Sequence, residues 1–124
     1  YKSYTQISQL LKEAKKEILD LGVREYTLEI EEGWLPLVAG LFREMKKVNP
    51  LWDGSKVAQV KQKFAGLRVY FDDAALTPEE EALLTLAEFE ASQTCELCGQ
   101  PGTKGQRTKS WMMVCCPSCF SCGK

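Results

Sequence analysis

Thr94-Cys95-Glu96-Leu97-Cys98-Gly99 and, after a gap of 17 residues from Cys98, Cys116-Pro117-Ser118-Cys119 are the stretches on which the reading of this chain turns. Two thiolates two residues apart grip one ion from a tight turn, and a glycine after the second lets backbone amides face the sulfurs. A second pair closes the tetrahedron, and C-x2-C-x17-C-x2-C lies inside the spacing of a four-cysteine zinc site. Cys119-Phe120-Ser121-Cys122-Gly123 is a rival closing pair, 20 residues from Cys98 and with its own trailing glycine. A swap of Cys115 or Cys122 into the shell also satisfies the chemistry, so spacing alone leaves the last two ligands open.

All six cysteines fall in residues 95–124 of a 124-residue chain. A disulfide framework is normally spread out to staple a small secreted fold, whereas thiols crowded at one end read as metal ligands. A thioredoxin-like dithiol at Cys95/Cys98 is disfavoured, because that motif opens a helix in a βαβ unit. Here the pair follows a helical pattern and precedes a Gly-rich loop. A closed shell of four thiolates is structural, while catalytic zinc keeps an open position and usually a histidine. The chain has no histidine at all, which removes Ser-His-Asp and Cys-His chemistry. One structural Zn2+ is therefore the expected cofactor, and no catalytic residue is expected.

Charge divides along the same line. Residues 1–94 carry 12 basic and 16 acidic side chains; residues 95–124 carry Lys104, Arg107, Lys109 and Lys124 against Glu96 alone. The whole chain is almost neutral, at −1, and 44% hydrophobic, enough for a core and against wholesale disorder. It contains neither an apolar signal-peptide stretch at its start nor a run of ~18–20 apolar residues, so a cytoplasmic location without a membrane partner is expected.

The body reads as α+β. Ile7, Leu10, Leu11, Ala14, Ile18 and Leu21 share one face of a first helix, with Gly22 as its stop. Residues 24–31 alternate, with Tyr26, Leu28 and Ile30 pointing one way, which predicts a half-buried strand or, alternatively, a connection that packs through its aromatic ring. Gly33-Trp34-Leu35-Pro36 reverses the chain into a second helix with Leu35, Val38, Ala39, Phe42 and Met45 inward and Asn49-Pro50 at its end. Val57–Phe64 and Leu67–Asp72 form a β-hairpin around Ala65-Gly66, Gly66 being expected to supply the positive φ. Lys61, Lys63 and Arg68 share its exposed face, either to keep an edge soluble or as a small cationic binding surface. Thr77-Pro78-Glu79-Glu80 is a capping box opening a third helix, with Ala82, Leu83, Leu86, Ala87 and Phe89 as its core stripe. Trp111–Val114 is the strand that delivers the second knuckle. The expected organisation is a helix-plus-β-hairpin body over 1–94 followed by a zinc ribbon over 95–124 packed on it.

Several linked motifs carry a resemblance. Gly33-Trp34-x-Pro36-Leu37, Val60-Lys61-Gln62-Lys63-Phe64-Ala65-Gly66-Leu67-Arg68-Val69-Tyr70, Thr94-Cys95-Glu96-x-Cys98-Gly99-x-Pro101-Gly102, Trp111 and a terminal C-x-x-C occur in that order. Over residues 33–119 the chain resembles a family of small uncharacterised proteins found in bacterial and phage genomes. In that family the final pair is usually Cys-x-x-His after a Gly-Trp-x-x-x-Leu stretch. Aligning Ser110-Trp111 with Gly-Trp puts Cys116 at the family cysteine and Cys119 at its histidine. The resemblance thus implies Cys95, Cys98, Cys116 and Cys119 as ligands, Cys115 in an apolar position and Cys122 as a tail thiol. It implies a phage or prophage setting and carries no activity to transfer.

The expected function is non-enzymatic binding. The ribbon presents loop 100–110, with Lys104, Arg107, Lys109 and Trp111 as contacts, to a protein partner in host or phage machinery that the chain adapts or inhibits. The alternative is nucleic-acid binding by the basic loop 104–109, which the acidic body opposes for a long duplex footprint. A metal-dependent enzyme is the third reading, and it lacks histidine, a paired general base and metal-ligand carboxylate spacing.

Overall fold

The computed structural model describes residues 4–72, 76–108, 111–117 and 119. Helix α1 (Tyr4–Asp20) is followed by a two-residue strand β1 (Leu28–Glu29), helix α2 (Leu35–Val48), the hairpin β2 (Val57–Lys63) and β3 (Gly66–Phe71), and helix α3 (Pro78–Ala91). A second hairpin, β4 (Thr103–Thr108) and β5 (Trp111–Cys115), closes the described chain. The first sheet has the order β1-β2-β3, with β1 parallel and β3 antiparallel to β2. The class is α+β, as expected. Among the described residues no helix is long and apolar enough to cross a membrane.

The core gathers where the amphipathic faces meet. Helix α2 buries Leu35, Val38, Ala39, Leu41, Phe42 and Met45, which includes the whole expected stripe. Trp52 returns over Phe42, ring centroids 5.3 Å apart, while Lys46 Nζ donates to the Pro50 and Trp52 carbonyls and ties down the helix end. From α1, Leu11, Ala14 and Ile18 are buried, but Leu10 stands exposed. The sheet contributes Val60, Leu67 and Val69 from one face, as period two requires, and buries Val57 as well, three residues before Val60, because the register shifts between Val57 and Gln59.

Three local expectations are corrected. Residues 24–31 are not a continuous strand: Glu25–Thr27 is a 3-10 turn and only Leu28 and Glu29 pair with β2. The Thr27 hydroxyl donates to the Arg24 carbonyl and closes that turn, so Thr27 is buried. Tyr26, 72% exposed, lies beneath the Arg24 guanidinium instead. The β2–β3 turn takes its positive φ at Phe64 (52°) and Ala65 (63°), and Gly66 already belongs to β3. The register decides this, because Lys63 pairs with Gly66 and leaves a two-residue loop whose twist demands positive φ at both positions. In α3 the buried face is Ala87 and Ala91, together with the Glu80 side chain that completes the capping box with Thr77. Small residues let α3 sit close to α2 and β3, and Ala82, Leu86 and Phe89 are left exposed.

The turn before α2 positions the ribbon. Gly33 N–H donates to the Glu96 carbonyl at 2.7 Å, and Trp34 Nε1 donates to the Thr94 carbonyl at 2.8 Å. A Cβ on Gly33 would stand 2.3 Å from the Cys95 carbonyl oxygen and 2.5 Å from the Glu96 carbonyl carbon. Backbone cannot retreat as a flexible side chain does, so Gly33→Ala is expected to cost about 2–3 kcal/mol in urea unfolding, at the upper end for overpacking.

Candidate metal centre

The first knuckle is a turn closed by its own backbone. Cys95 N–H donates to the Gln100 carbonyl and Gly99 N–H to the Cys95 carbonyl, at 2.7 and 3.0 Å. Gly99 has φ +83°, a conformation glycine adopts without steric cost. Thr94 and Pro101 form a bridge across the base of the turn. The second pair comes from the end of β5. Along that strand Met112 and Val114 face the body core, while Met113 and Cys115 join the apolar surround of the thiols. Cys116 follows, and Cys119 N–H points to Cys116 Sγ at 3.4 Å.

The sulfurs of Cys95, Cys98, Cys116 and Cys119 all lie within 4.8 Å of one another, and Cys98 and Cys116 approach to 3.6 Å. An ideal tetrahedron with zinc–sulfur bonds of ~2.3 Å has sulfur–sulfur edges of about 3.8 Å. The four thiols therefore enclose a space of the right size for one metal ion. None of the described cysteines is in a disulfide. Cys115 is buried beside the cluster, the small apolar position expected of it; Cys122 lies outside the described residues.

Thiol electrostatics match a site built around a cation. Burial pushes the Cys98 thiol up to about 11, the neighbouring sulfurs adding to the effect. Burial also raises Cys119, again with its sulfur neighbours working in the same direction. Cys116 goes the other way: burial opposes ionisation, but donation from the Cys119 N–H and from the surrounding thiols outweighs it and lowers its pKa. Without a metal Cys98 and Cys119 take negative charge reluctantly and Cys116 more readily. A divalent ion at the centre reverses that balance.

Behind the sulfurs sits Glu96, only 1% exposed. Its N–H donates to the Val114 carbonyl, while its Oε2 accepts from Val114 N–H at 2.9 Å and from Gln62 Nε2 at 3.2 Å. Gln62 Nε2 also donates to the Met112 carbonyl at 2.6 Å. Burial raises the Glu96 pKa; these N–H groups pull it back, and Glu31 nearby adds to the rise. Sequence reading passed over both residues. The signal was present: a lone acidic side chain inside a knuckle, and a glutamine on the inward face of β2 beside Val60.

Of the remaining expected contacts, the side chain of Lys104 alone falls among the described ones. Lys104 stands exposed on β4; Arg107 falls within β4 and Trp111 opens β5; Lys109 lies outside the described residues. Fold and site together define an α+β chain carrying a four-thiol ribbon. No protein family, curated protein or solved structure matches it.

Two outcomes follow for the metal. Cys116→Ser is expected to abolish retention of one ion per chain in native mass spectrometry, while Cys122→Ser keeps it; equal loss would place Cys122 in the shell. Because Cys98 and Cys119 are protonated near neutrality in the metal-free cluster, loading is expected to release about two or more protons per ion. Apparent affinity should then rise ~100-fold per pH unit between pH 6 and 8, measured by calorimetry in buffers of different ionisation enthalpy.

Proposed function

We propose that this chain is a non-enzymatic binding protein in which one structural zinc ion fixes a ribbon to an α+β body, and that it acts on a protein partner as an adaptor or inhibitor. Soft thiolate donors suit zinc among the available divalent ions. A shell filled by four sulfurs has no open position for a substrate. The family resemblance adds a phage or prophage setting.

The observation that carries the protein partner is the groove between α2 and α3. It has a volume of about 320 Å3 and an apolar floor of Leu37, Leu41, Leu83, Leu86 and Ala87. Leu86 is 58% and Phe89 60% exposed beside it. Helix α3 bears five glutamates and no basic residue, and the groove's own Arg43 is neutralised by a two-point contact with Glu17 at 2.6 and 2.8 Å. An apolar trough with an acidic rim is complementary to a partner helix with apolar anchors and flanking Lys or Arg.

The ribbon loop, with Lys104 exposed on β4, is the alternative surface. Affinity capture from the native cell, with zinc-loaded chain as bait, tests the reading. Specific proteins retained at ~0.5 M salt by the wild type and lost with Leu86→Asp are expected, since apolar anchors outlast screening of rim charges. A captured set indifferent to Leu86→Asp and stripped by salt would overturn it.

A further inference from the structure

The outer face of the body hairpin is unlike the rest of this acidic body. In the β2–β3 register Gln59 faces Tyr70, Lys61 faces Arg68 and Lys63 faces Gly66. Alternation puts Gln59, Lys61, Lys63, Arg68 and Tyr70 on one side and Val60, Gln62, Leu67 and Val69 on the core side. Lys61 and Arg68 are thus like charges directly opposite each other, an arrangement that destabilises a sheet. Among the described residues none of the three cations is in a salt bridge. On β1 Glu29 lies opposite Lys61, and its carboxylate accepts from Gln59 Nε2 at 2.7 Å.

Aromatic rings interleave with these charges. Tyr70 is 47% exposed on the same face. At the turn, Phe64 is 71% exposed, with the Lys63 ammonium 5.9 Å from its ring centroid. Phe64 also holds φ 52°, a left-handed conformation that disfavours a bulky side chain and that glycine would adopt freely. The two-residue turn imposes that φ, and the residue that carries it here is an exposed aromatic ring and not the glycine the turn favours. From the Tyr70 rung to the Lys63 rung is about 14 Å.

We propose that this face binds single-stranded nucleic acid, with Tyr70 and Phe64 stacking unpaired bases and Lys61, Lys63 and Arg68 contacting the phosphates between them. A duplex hides its base faces, so exposed rings between cations favour a single strand. The acidic α3 and body restrict the footprint to this strip. The site lies apart from the α2–α3 groove and from the ribbon loop.

The test is fluorescence anisotropy with labelled 12-nucleotide oligo(U) and oligo(dT), using the intact zinc-loaded chain at 50–200 mM salt. Three phosphate contacts on a single strand give log K against log salt a slope of about −2. Tyr70→Ala and Phe64→Gly are each expected to weaken binding roughly tenfold, as loss of one stacked base does. Lys61→Gln should weaken it and reduce the slope by about 0.7. Phe64→Gly should also raise the thermal midpoint, a combination that damage to the fold would not give. Lys104→Gln and Leu86→Asp should leave affinity unchanged, which separates this site from the ribbon loop and from the protein-docking reading. Absence of binding at 50 mM salt would overturn the proposal. So would equal affinity for the matching duplex, for heparin or for polyglutamate, the last indicating an acidic protein surface as the ligand. Indifference to both aromatic variants, or loss confined to Lys104→Gln, would overturn it as well.

Discussion

Gly33 and Glu96 meet backbone to backbone, and the placement of the ribbon depends on that meeting. The Gly33 N–H reaches the Glu96 carbonyl, the adjacent Trp34 indole reaches Thr94, and the Glu96 carboxylate turns inward to hold Val114 N–H and Gln62. Each partner belongs to a different segment: the turn before α2, the first knuckle, β5 and β2. A buried carboxylate without N–H donors would be strongly destabilising, so these segments arrive together or the arrangement fails. The absence of a side chain at residue 33 is what permits the approach.

Metal and docking reinforce each other. The thiol cluster has little apolar surface of its own beyond Met113, Leu97 and the cysteines themselves. A structural zinc ion supplies ~10–16 kcal/mol of apparent binding free energy to such modules, far more than that surface. An ion held by the four thiols would fix the separation of the two knuckles. With the knuckles fixed, Glu96 and Val114 are in register for their paired hydrogen bonds, and Met112 and Val114 are presented to the body.

Much of this was legible in the residues, for identifiable reasons. The cysteine spacing named a four-thiol site that includes Cys95 and Cys98, because knuckles are local turns and a local turn is written in adjacent residues; it left the second pair open between Cys116/Cys119 and Cys119/Cys122, and the resemblance pointed to the pair that the fold brings together among the described residues. Thr77-Pro78-Glu79-Glu80 read correctly for the same reason. The strand over 24–31 failed because alternation of charged and apolar residues does not distinguish a sheet partner from a turn with an outward ring, and Tyr26 found Arg24 instead of the core. Gly66 misled because a glycine near a hairpin suggests its own positive φ, whereas pairing with Lys63 moved that burden to Phe64 and Ala65. In α3 the expected stripe held at Ala87, which is buried, and at Leu83, which packs half-buried against the core, but failed at Ala82, Leu86 and Phe89, which stand exposed. The roles of Glu96 and Gln62 depend on contacts 34 residues apart, which no local pattern records.

Val114 is counted among the same interior as Trp34, Phe42 and Leu67, although it belongs to the ribbon by sequence. The division near residue 94 is thus a change of composition and not a seam in the packing. Were an ion held by the four thiols and then lost, the segment that carries Val114 would loosen, and with it a side chain of the body's own interior. The state of the metal site would then be felt where no sulfur reaches.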